Sequence, residues 1–273
     1  IRRRFHHETA VSTAVVHPAL IRTIGAGEDT MGPYLLLEYV HGTTLEDLID
    51  RSSLRRVALS ANVLARLALD LGRALSALHH AQDVHGVPLY VLHRDVSPQN
   101  VMISSQGAVK LGDLGIAKSR LRHASTDARD LLGKLPYLAP EYLRERRLGP
   151  ALDVYALGVT LYQAATGESP FRAKQESKLL RDILDKGAPS VAEKRPDLPR
   201  PLTRLIDDMI AREWEKRVTL DRALYVLERA AQSGSVELHR LVEELVGNDL
   251  RRREDMWGLQ AGPASESGQW MIL

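Results

Sequence analysis

The sequence of 273 residues is 44% hydrophobic and 26% charged, which is typical of a globular chain and excludes a fibrous or wholly disordered one. Its 37 basic and 35 acidic residues are interspersed and leave a formal net charge of +2, so no strong field indicates a nucleic-acid partner. No apolar run approaches the roughly 20 residues that span a bilayer, and no cysteine is present to form disulfides or thiolate metal sites. We therefore expect a cytoplasmic protein with no nucleic-acid partner and no membrane segment in this chain.

The first half of the chain predicts mixed secondary structure. Residues 4–16 are expected to form a short helix and residues 34–37 a buried strand. Over residues 60–80, leucines recur at spacings of three and four, which indicates an amphipathic helix with one core face. Residues 101–103 and 109–111 flank a polar turn and predict a short hairpin.

The second half is predicted to be mainly helical and to end in an appendage. Helical patterns occupy residues 153–166, 176–186, 202–212 and 220–232. A further amphipathic stretch, residues 236–250, leads into an end containing Gly and Ser that has little to bury.

Three short motifs lie around the predicted hairpin. Residues 93–100 are His-Arg-Asp-Val-Ser-Pro-Gln-Asn, residues 111–115 are Leu-Gly-Asp-Leu-Gly, and residues 138–141 are Leu-Ala-Pro-Glu. In order, spacing and context they resemble the protein-kinase family, whose catalytic loop carries an asparagine five residues after its aspartate. Three linked motifs are far more specific than any one of them. The loop pattern looks most like that of bacterial serine/threonine kinases.

The resemblance implies an α+β fold with a β-rich small lobe and a mainly helical large lobe. Residues 1–41 would then be the remnant of the small lobe, residues 42–232 the large lobe, and residues 233–273 a helical and flexible tail. In the family a glycine-rich phosphate loop and an ATP-anchoring lysine come earlier in the chain, and this sequence opens on Ile1 rather than methionine. We therefore expect a truncated small lobe, weak ATP binding and no activity for the chain as given.

The resemblance assigns the chemistry to three oxygen-bearing side chains. Asp95 would orient the substrate hydroxyl and accept its proton, while Asn100 and Asp113 would hold Mg²⁺ against the phosphates of ATP. Amide and carboxylate oxygens are hard ligands that suit this hard cation. Leu114 follows Asp113 where the family usually has phenylalanine, an apolar exchange that keeps the metal-binding aspartate.

Contacts to ATP are implied for three further residues. Glu8 would pair with the ATP-anchoring lysine, and the alternative is an ordinary exposed glutamate on a helix. The backbones of Glu38 and Val40 would hydrogen-bond the adenine. These expectations come from the resemblance alone.

Two positions depart from the family pattern in a reciprocal way. Ser97 stands two residues after Asp95, where serine/threonine kinases usually have lysine. Lys134 stands seven residues before the glutamate of Ala-Pro-Glu, where they usually have threonine. Our hypothesis is that Lys134 puts its ammonium where the absent lysine would act on the γ-phosphate. The alternative is a solvated surface lysine in a catalytically weak protein.

A regulatory role is implied for the residue before the catalytic aspartate. Arg94 resembles the arginine that receives a phosphate from the activation segment, and Ser119, Ser125 and Thr126 are the candidate acceptors. Unmodified loop hydroxyls are the alternative.

Three residues are expected to hold the large lobe together. Glu141 resembles the family glutamate that pairs with a late arginine, and Arg217 is the matching candidate. Breaking a buried ion pair costs about 3–5 kcal/mol, so loss of Arg217 should damage folding rather than chemistry. Asp153 opens a helical pattern that resembles the buried central helix of the large lobe.

The leading function is ATP- and Mg²⁺-dependent phosphorylation of serine or threonine in protein substrates. A pseudokinase serving as an interaction scaffold is the first alternative, supported by Ser97 in place of lysine. A small-molecule phosphotransferase of similar fold is the second, and residues 113–141, which resemble a peptide-binding activation segment, argue against it. The sequence indicates neither the particular protein substrate nor the oligomeric state.

Overall fold

The computed structural model describes residues 13–30, 32–113, 133–229, 234–257 and 270–272. The strands lie mostly before residue 112, and the described chain after it is mostly helical. A small sheet-containing lobe and a largely helical large lobe make up an α+β fold, which confirms the predicted class.

Antiparallel strands form the small lobe. β1 (Thr23–Asp29) pairs with β2 (Gly32–Glu38) in a register that places Ala26 opposite Leu35. The backbone of β6 (Trp270–Ile272) pairs with the other edge of β2, giving the order β1-β2-β6. The predicted strand falls within β2, but residues 34–37 are half-buried rather than buried.

A second antiparallel sheet lies next to residues 93–100, which we call the catalytic-loop motif. It contains β3 (Gly42–Thr44), β4 (Val101–Ser104) and β5 (Val109–Leu111) in that order, and β4 with β5 is the predicted hairpin. A Cβ atom at Gly42 would lie 1.9 Å from the carbonyl oxygen of Ile103. Only glycine therefore allows β3 to approach β4 this closely.

Helices make up most of the large lobe. They are α1 (Leu45–Arg55), α2 (Ala61–His79), α3 (Pro140–Glu145), α4 (Ala151–Thr166), α5 (Glu176–Arg181), α6 (Val191–Lys194), α7 (Arg200–Met209), α8 (Leu220–Leu227) and α9 (Gly234–Trp257). Ser60 begins α2 by accepting a hydrogen bond from the N–H of Val63 at 3.3 Å, as an N-cap residue does.

The central helix of the core is α4. Twelve of its 16 residues are buried, and Tyr155 and Tyr162 are each only 1% exposed. A Cβ atom at Gly158 would lie 2.7 Å from the Cβ atom of Met209, so a larger residue would push α7 away. Because α4 is buried almost all round, it is a rigid support for the residues at its N-terminus.

The C-terminal helix α9 packs on α1 and α2. Its buried apolar side chains are Leu238, Val242, Leu245, Val246 and Leu250. Arg51 of α1 donates to the carbonyl oxygen of Leu245 at 3.2 Å and pairs with Asp249 at 2.7 Å. The predicted amphipathic stretch is therefore a helix that completes the core on this side. Within the described ranges no helix, α9 included, has both the length and the apolar character to cross a membrane.

We predict that Leu238→Ala lowers the free energy of unfolding by about 2–5 kcal/mol, because this side chain is fully buried. Urea denaturation followed by circular dichroism measures the change. The matched control is Val236→Ala on the same helix, where the side chain is 55% exposed. The control should stay within about 0.5 kcal/mol of wild type. Equally small effects of both substitutions would show that α9 does not stabilise the lobe.

Candidate active site

A buried carboxylate at the start of α4 holds the catalytic-loop motif in place. Oδ2 of Asp153 accepts from the N–H of His93 at 2.9 Å, and Oδ1 accepts from the N–H of Arg94 at 2.8 Å. Nε2 of His79, at the end of α2, lies 2.8 Å from Oδ2. Burial by itself raises the pKa of Asp153, but the hydrogen bonds from His79 and from the N–H of Arg94 oppose this, and the pKa lies below its ordinary value. An ionised carboxylate thus binds three donors.

The imidazole of His93 connects the catalytic loop to the segment that precedes Asp113. Its Nε2 lies 3.0 Å from the carbonyl oxygen of Gly112, and its Nδ1 lies 3.3 Å from the backbone nitrogen of Asp95. Because a carbonyl only accepts and a peptide N–H only donates, the ring is neutral with its proton on Nε2. Complete burial lowers the pKa of His93, in agreement with a neutral ring.

Two residues of the site have a left-handed backbone. The φ angle is 64° at Arg94 and 57° at Asp113. Such conformations cost of order 1–3 kcal/mol outside glycine and persist only where the surroundings enforce them. Here Asp153 binds the N–H of Arg94, and the N–H of Gly112 donates to the carbonyl of Asn100 at 2.8 Å. The catalytic loop and the Asp113 segment are therefore locked side by side.

Asp95 and Lys134 form an ion pair. Nζ of Lys134 lies 2.5 Å from Oδ2 of Asp95, with the two side chains 29% and 9% exposed. Ser97 is buried on the same loop, and its hydroxyl has no hydrogen-bond partner among the described residues. Lys134 is thus a partly buried lysine paired with Asp95, not a solvated surface lysine.

Asn100 and Asp113 supply the oxygen atoms expected of a Mg²⁺ site. Nδ2 of Asn100 donates to the carbonyl of Asp95 at 2.7 Å, which leaves its Oδ1 as an acceptor. The side chain of Asp113 is exposed. In the described part of the chain, no cluster of three or more His, Asp or Glu could hold a metal by itself. Mg²⁺ suits such a site, because it binds through one or two protein oxygens together with substrate phosphates and waters.

The predicted adenine contacts lie at the end of β2. The N–H of Glu38 donates to the carbonyl of Arg22 at 2.9 Å, and its carboxylate accepts from Nζ of Lys110 at 2.7 Å. The peptide groups of Val40 form no hydrogen bond with the described residues, although the side chain is buried. Glu38 therefore has its N–H engaged, whereas Val40 offers both a donor and an acceptor.

Glu141 and Arg217 meet in the large lobe. Arg217 donates to both carboxylate oxygens of Glu141, at 2.7 and 3.1 Å, and to the carbonyl of Ala151 at 2.7 Å. Its guanidinium carbon lies 5.0 Å from the centre of the Tyr155 ring. The pair is buried and fully hydrogen-bonded, so it ties α3 to α4.

Four of the predicted residues lie outside the described part of the chain: Glu8, Ser119, Ser125 and Thr126. Arg94 is described, and its Nε atom is buried with no hydrogen-bond partner there. Its role as a receptor for phosphate stays a prediction, which mass mapping of phosphorylated residues after incubation with Mg²⁺ and ATP would check.

Sequence reasoning missed His79 and Lys110. Neither belongs to a motif, and each meets its partner only through folding, His79 with Asp153 and Lys110 with Glu38. The one sequence signal was Lys110 itself, a charged residue between Val and Leu in a strand. No local pattern marked His79.

A loop anchored to the core of a helical lobe, beside a small lobe that contains sheet, is the arrangement of a kinase-like fold. Residues 2–226 match the family model described as the protein kinase domain, and the chain belongs to that family. Helix α9 lies beyond the matched residues.

Three curated relatives illustrate the similarity. The tyrosine-protein kinase MasK of Myxococcus xanthus is 29% identical over 251 residues, which cover 90% of this chain and 39% of MasK. The serine/threonine-protein kinase PknL of Mycobacterium tuberculosis is 30% identical over 251 residues, or 91% of this chain and 57% of PknL. The serine/threonine-protein kinase PrkC of Bacillus subtilis is 28% identical over 204 residues, which cover 75% of this chain and 30% of PrkC. The chain thus spans less than two thirds of the length of each.

We predict that His93 makes stability depend on pH below about 6.5. Its native pKa lies below the ordinary histidine value of about 6.5, so as the pH falls through 6.5 the unfolded chain takes up a proton at this residue before the native protein does. Stability therefore rises with pH, by up to about 1.4 kcal/mol per unit from this one group.

Urea denaturation at a series of pH values measures that slope. His93→Gln should give a flatter curve than wild type, whereas His85→Gln, at an exposed position, should keep the wild-type slope. Equal slopes for His93→Gln and wild type would contradict a neutral buried His93.

Proposed function

We propose that this chain transfers the γ-phosphate of ATP to serine and threonine hydroxyls of proteins. The observation that carries the proposal is Asp95, whose carboxylate is 9% exposed on a loop fixed by Asp153 and next to Lys134. PknL and PrkC are named serine/threonine kinases, whereas MasK is named a tyrosine kinase. The identity of the acceptor hydroxyl is therefore part of the test.

Asp95 orients the acceptor hydroxyl and takes its proton as the oxygen attacks phosphorus. The side chain of Asn100 donates to the Asp95 carbonyl, and the ring of His93 accepts from the Asp95 N–H. Hydrogen bonds thus fix both peptide groups of Asp95 before a substrate binds. Little reorganisation remains when the substrate binds, which is the main contribution that a protein makes to phosphoryl transfer.

Asn100 and Asp113 would hold Mg²⁺, and the peptide groups of Val40 together with the carbonyl of Glu38 would bind adenine. When bound, Mg²⁺ neutralises negative charge on the phosphates. His93 bonds the Gly112 carbonyl and so sets the distance between the Asp95 loop and the Asp113 segment.

We further propose that Lys134 takes over the role of the lysine that Ser97 replaces. Its ammonium lies 2.5 Å from the Asp95 carboxylate, at the reacting end of the site. A cation there stabilises the negative charge of the transferring group, and low exposure to water strengthens the effect. Serine is neutral, so position 97 of the catalytic loop carries no charge of its own, in support of this proposal.

We predict that Lys134→Thr lowers kcat by about 10²-fold or more, because a cation is lost from the reacting end. Combining Lys134→Thr with Ser97→Lys returns a cation to the catalytic loop and should recover much of that loss. Lys186→Thr, at a lysine 65% exposed, is the matched control and should keep wild-type turnover. Steady-state phosphate transfer measures all three. Unchanged turnover in Lys134→Thr beside an inactive Asp95→Asn would disprove the role.

The activity itself is tested by transfer of labelled γ-phosphate from Mg²⁺ and ATP, with the full-length natural protein that contains this chain. Serine, threonine and tyrosine peptides of otherwise equal sequence serve as acceptors. We predict transfer to serine and threonine, and a loss of about 10²- to 10⁴-fold in Asp95→Asn, which lacks the proton acceptor. Transfer to tyrosine alone, or none from either protein, would overturn the proposal.

A further inference from the structure

A groove of about 820 Å³ opens beside the ion pair of Asp95 and Lys134. Ser97, Lys134 and Tyr137 are among the residues that line it. We call this space the basic groove for the reason that follows.

Basic side chains dominate the part of the groove lining that the described residues form. In that part four cations and one carboxylate line the groove: Lys134, Arg172, Lys174, Lys178 and Glu46. Lys134 is neutralised by Asp95, and Arg172 pairs with Glu168 at 3.2 Å. The carboxylate of Glu46 accepts a hydrogen bond from Gln99 at 2.9 Å. Glu46 keeps its negative charge, but the two remaining cations, Lys174 and Lys178, outnumber it, so the charge that remains on the described lining is positive.

Lys174 and Lys178 carry that remaining charge. Both are exposed, and neither forms an ion pair within the described part of the chain. Asp182, which lies near Lys178, is paired with Lys186 at 2.6 Å. Phe171 and Leu179 are 4% and 3% exposed and anchor the chain to the core on either side of the two lysines.

We propose that the basic groove selects substrate polypeptides with acidic residues close to the phosphorylated hydroxyl. The inference rests on the proposed function, because that function makes a polypeptide the occupant of the space next to Asp95. Carboxylates of the substrate pair with Lys174 and Lys178, and basic residues at the same positions are repelled. Lys174 and Lys178 determine specificity and take no part in the chemistry at Asp95.

The test measures binding separately from catalysis. Fluorescence anisotropy compares labelled peptides in which alanine replaces the acceptor and the flanking residues are glutamate, glutamine or lysine. Wild-type protein should bind the glutamate peptide about tenfold more tightly than the lysine peptide, as two solvent-exposed ion pairs allow. The difference should shrink at high salt, because exposed charges are screened.

Lys174→Glu combined with Lys178→Glu should abolish or reverse the order of affinities. The control combines Arg204→Glu with Arg240→Glu, which makes the same change in formal charge at exposed positions outside the groove lining and should keep the wild-type order. Equal affinity for all peptides, preference for lysine, no measurable binding, or an unchanged order in the Lys174 and Lys178 variant would overturn the inference.

Phosphate transfer to the same peptides with serine restored reports on the proposed function alone. Transfer that favours the lysine peptide contradicts the groove inference and leaves the kinase activity standing. Selective binding of the glutamate peptide without transfer to any peptide supports the groove and contradicts the proposed function.

Discussion

The active site depends on one buried carboxylate, that of Asp153. A charge with no exposure to water must be compensated, and the N–H groups of His93 and Arg94 together with the ring of His79 do this. Because Asp153 stands on α4, which is buried almost all round, the core of the large lobe sets the position of the loop. The position of Asp95, two residues after His93, is fixed in the same way.

At the reacting end of the site, Asp95 of the catalytic loop pairs with Lys134, which belongs to a different segment of the chain. The proposed chemistry requires a cation at one point in space. We propose that Lys134, whose Nζ lies 2.5 Å from Asp95, supplies this cation, because Ser97 occupies the usual place in the chain. The same ion pair borders the basic groove, so the proposed selection of acidic substrates by Lys174 and Lys178 takes place beside the proposed chemistry.

Local patterns in the sequence predicted the catalytic-loop motif, the β4–β5 hairpin and the helices α2 and α4, because leucine spacing and turn residues act over short distances. The reciprocal change at Ser97 and Lys134 led to the hypothesis that Lys134 replaces the absent lysine, which stays a prediction. The pairs of His79 with Asp153 and of Lys110 with Glu38 were not predictable, since each depends on how separate elements pack. The packing of α9 was likewise not predictable. An amphipathic pattern indicates that one face of a helix is buried, but it does not identify the elements that cover this face.

The central claim is that Asp153 positions the loop on which Asp95 acts, and the turnover of Asp153→Asn tests it most directly. The amide keeps the size of the carboxylate but loses its charge and one of its acceptor oxygens, so it cannot bind both loop N–H groups and His79 as before. We predict a protein that still folds, as judged by circular dichroism, with kcat for phosphate transfer lower by at least about tenfold, as expected when a catalytic group is slightly misplaced. Wild-type kcat in a folded Asp153→Asn protein would contradict the account.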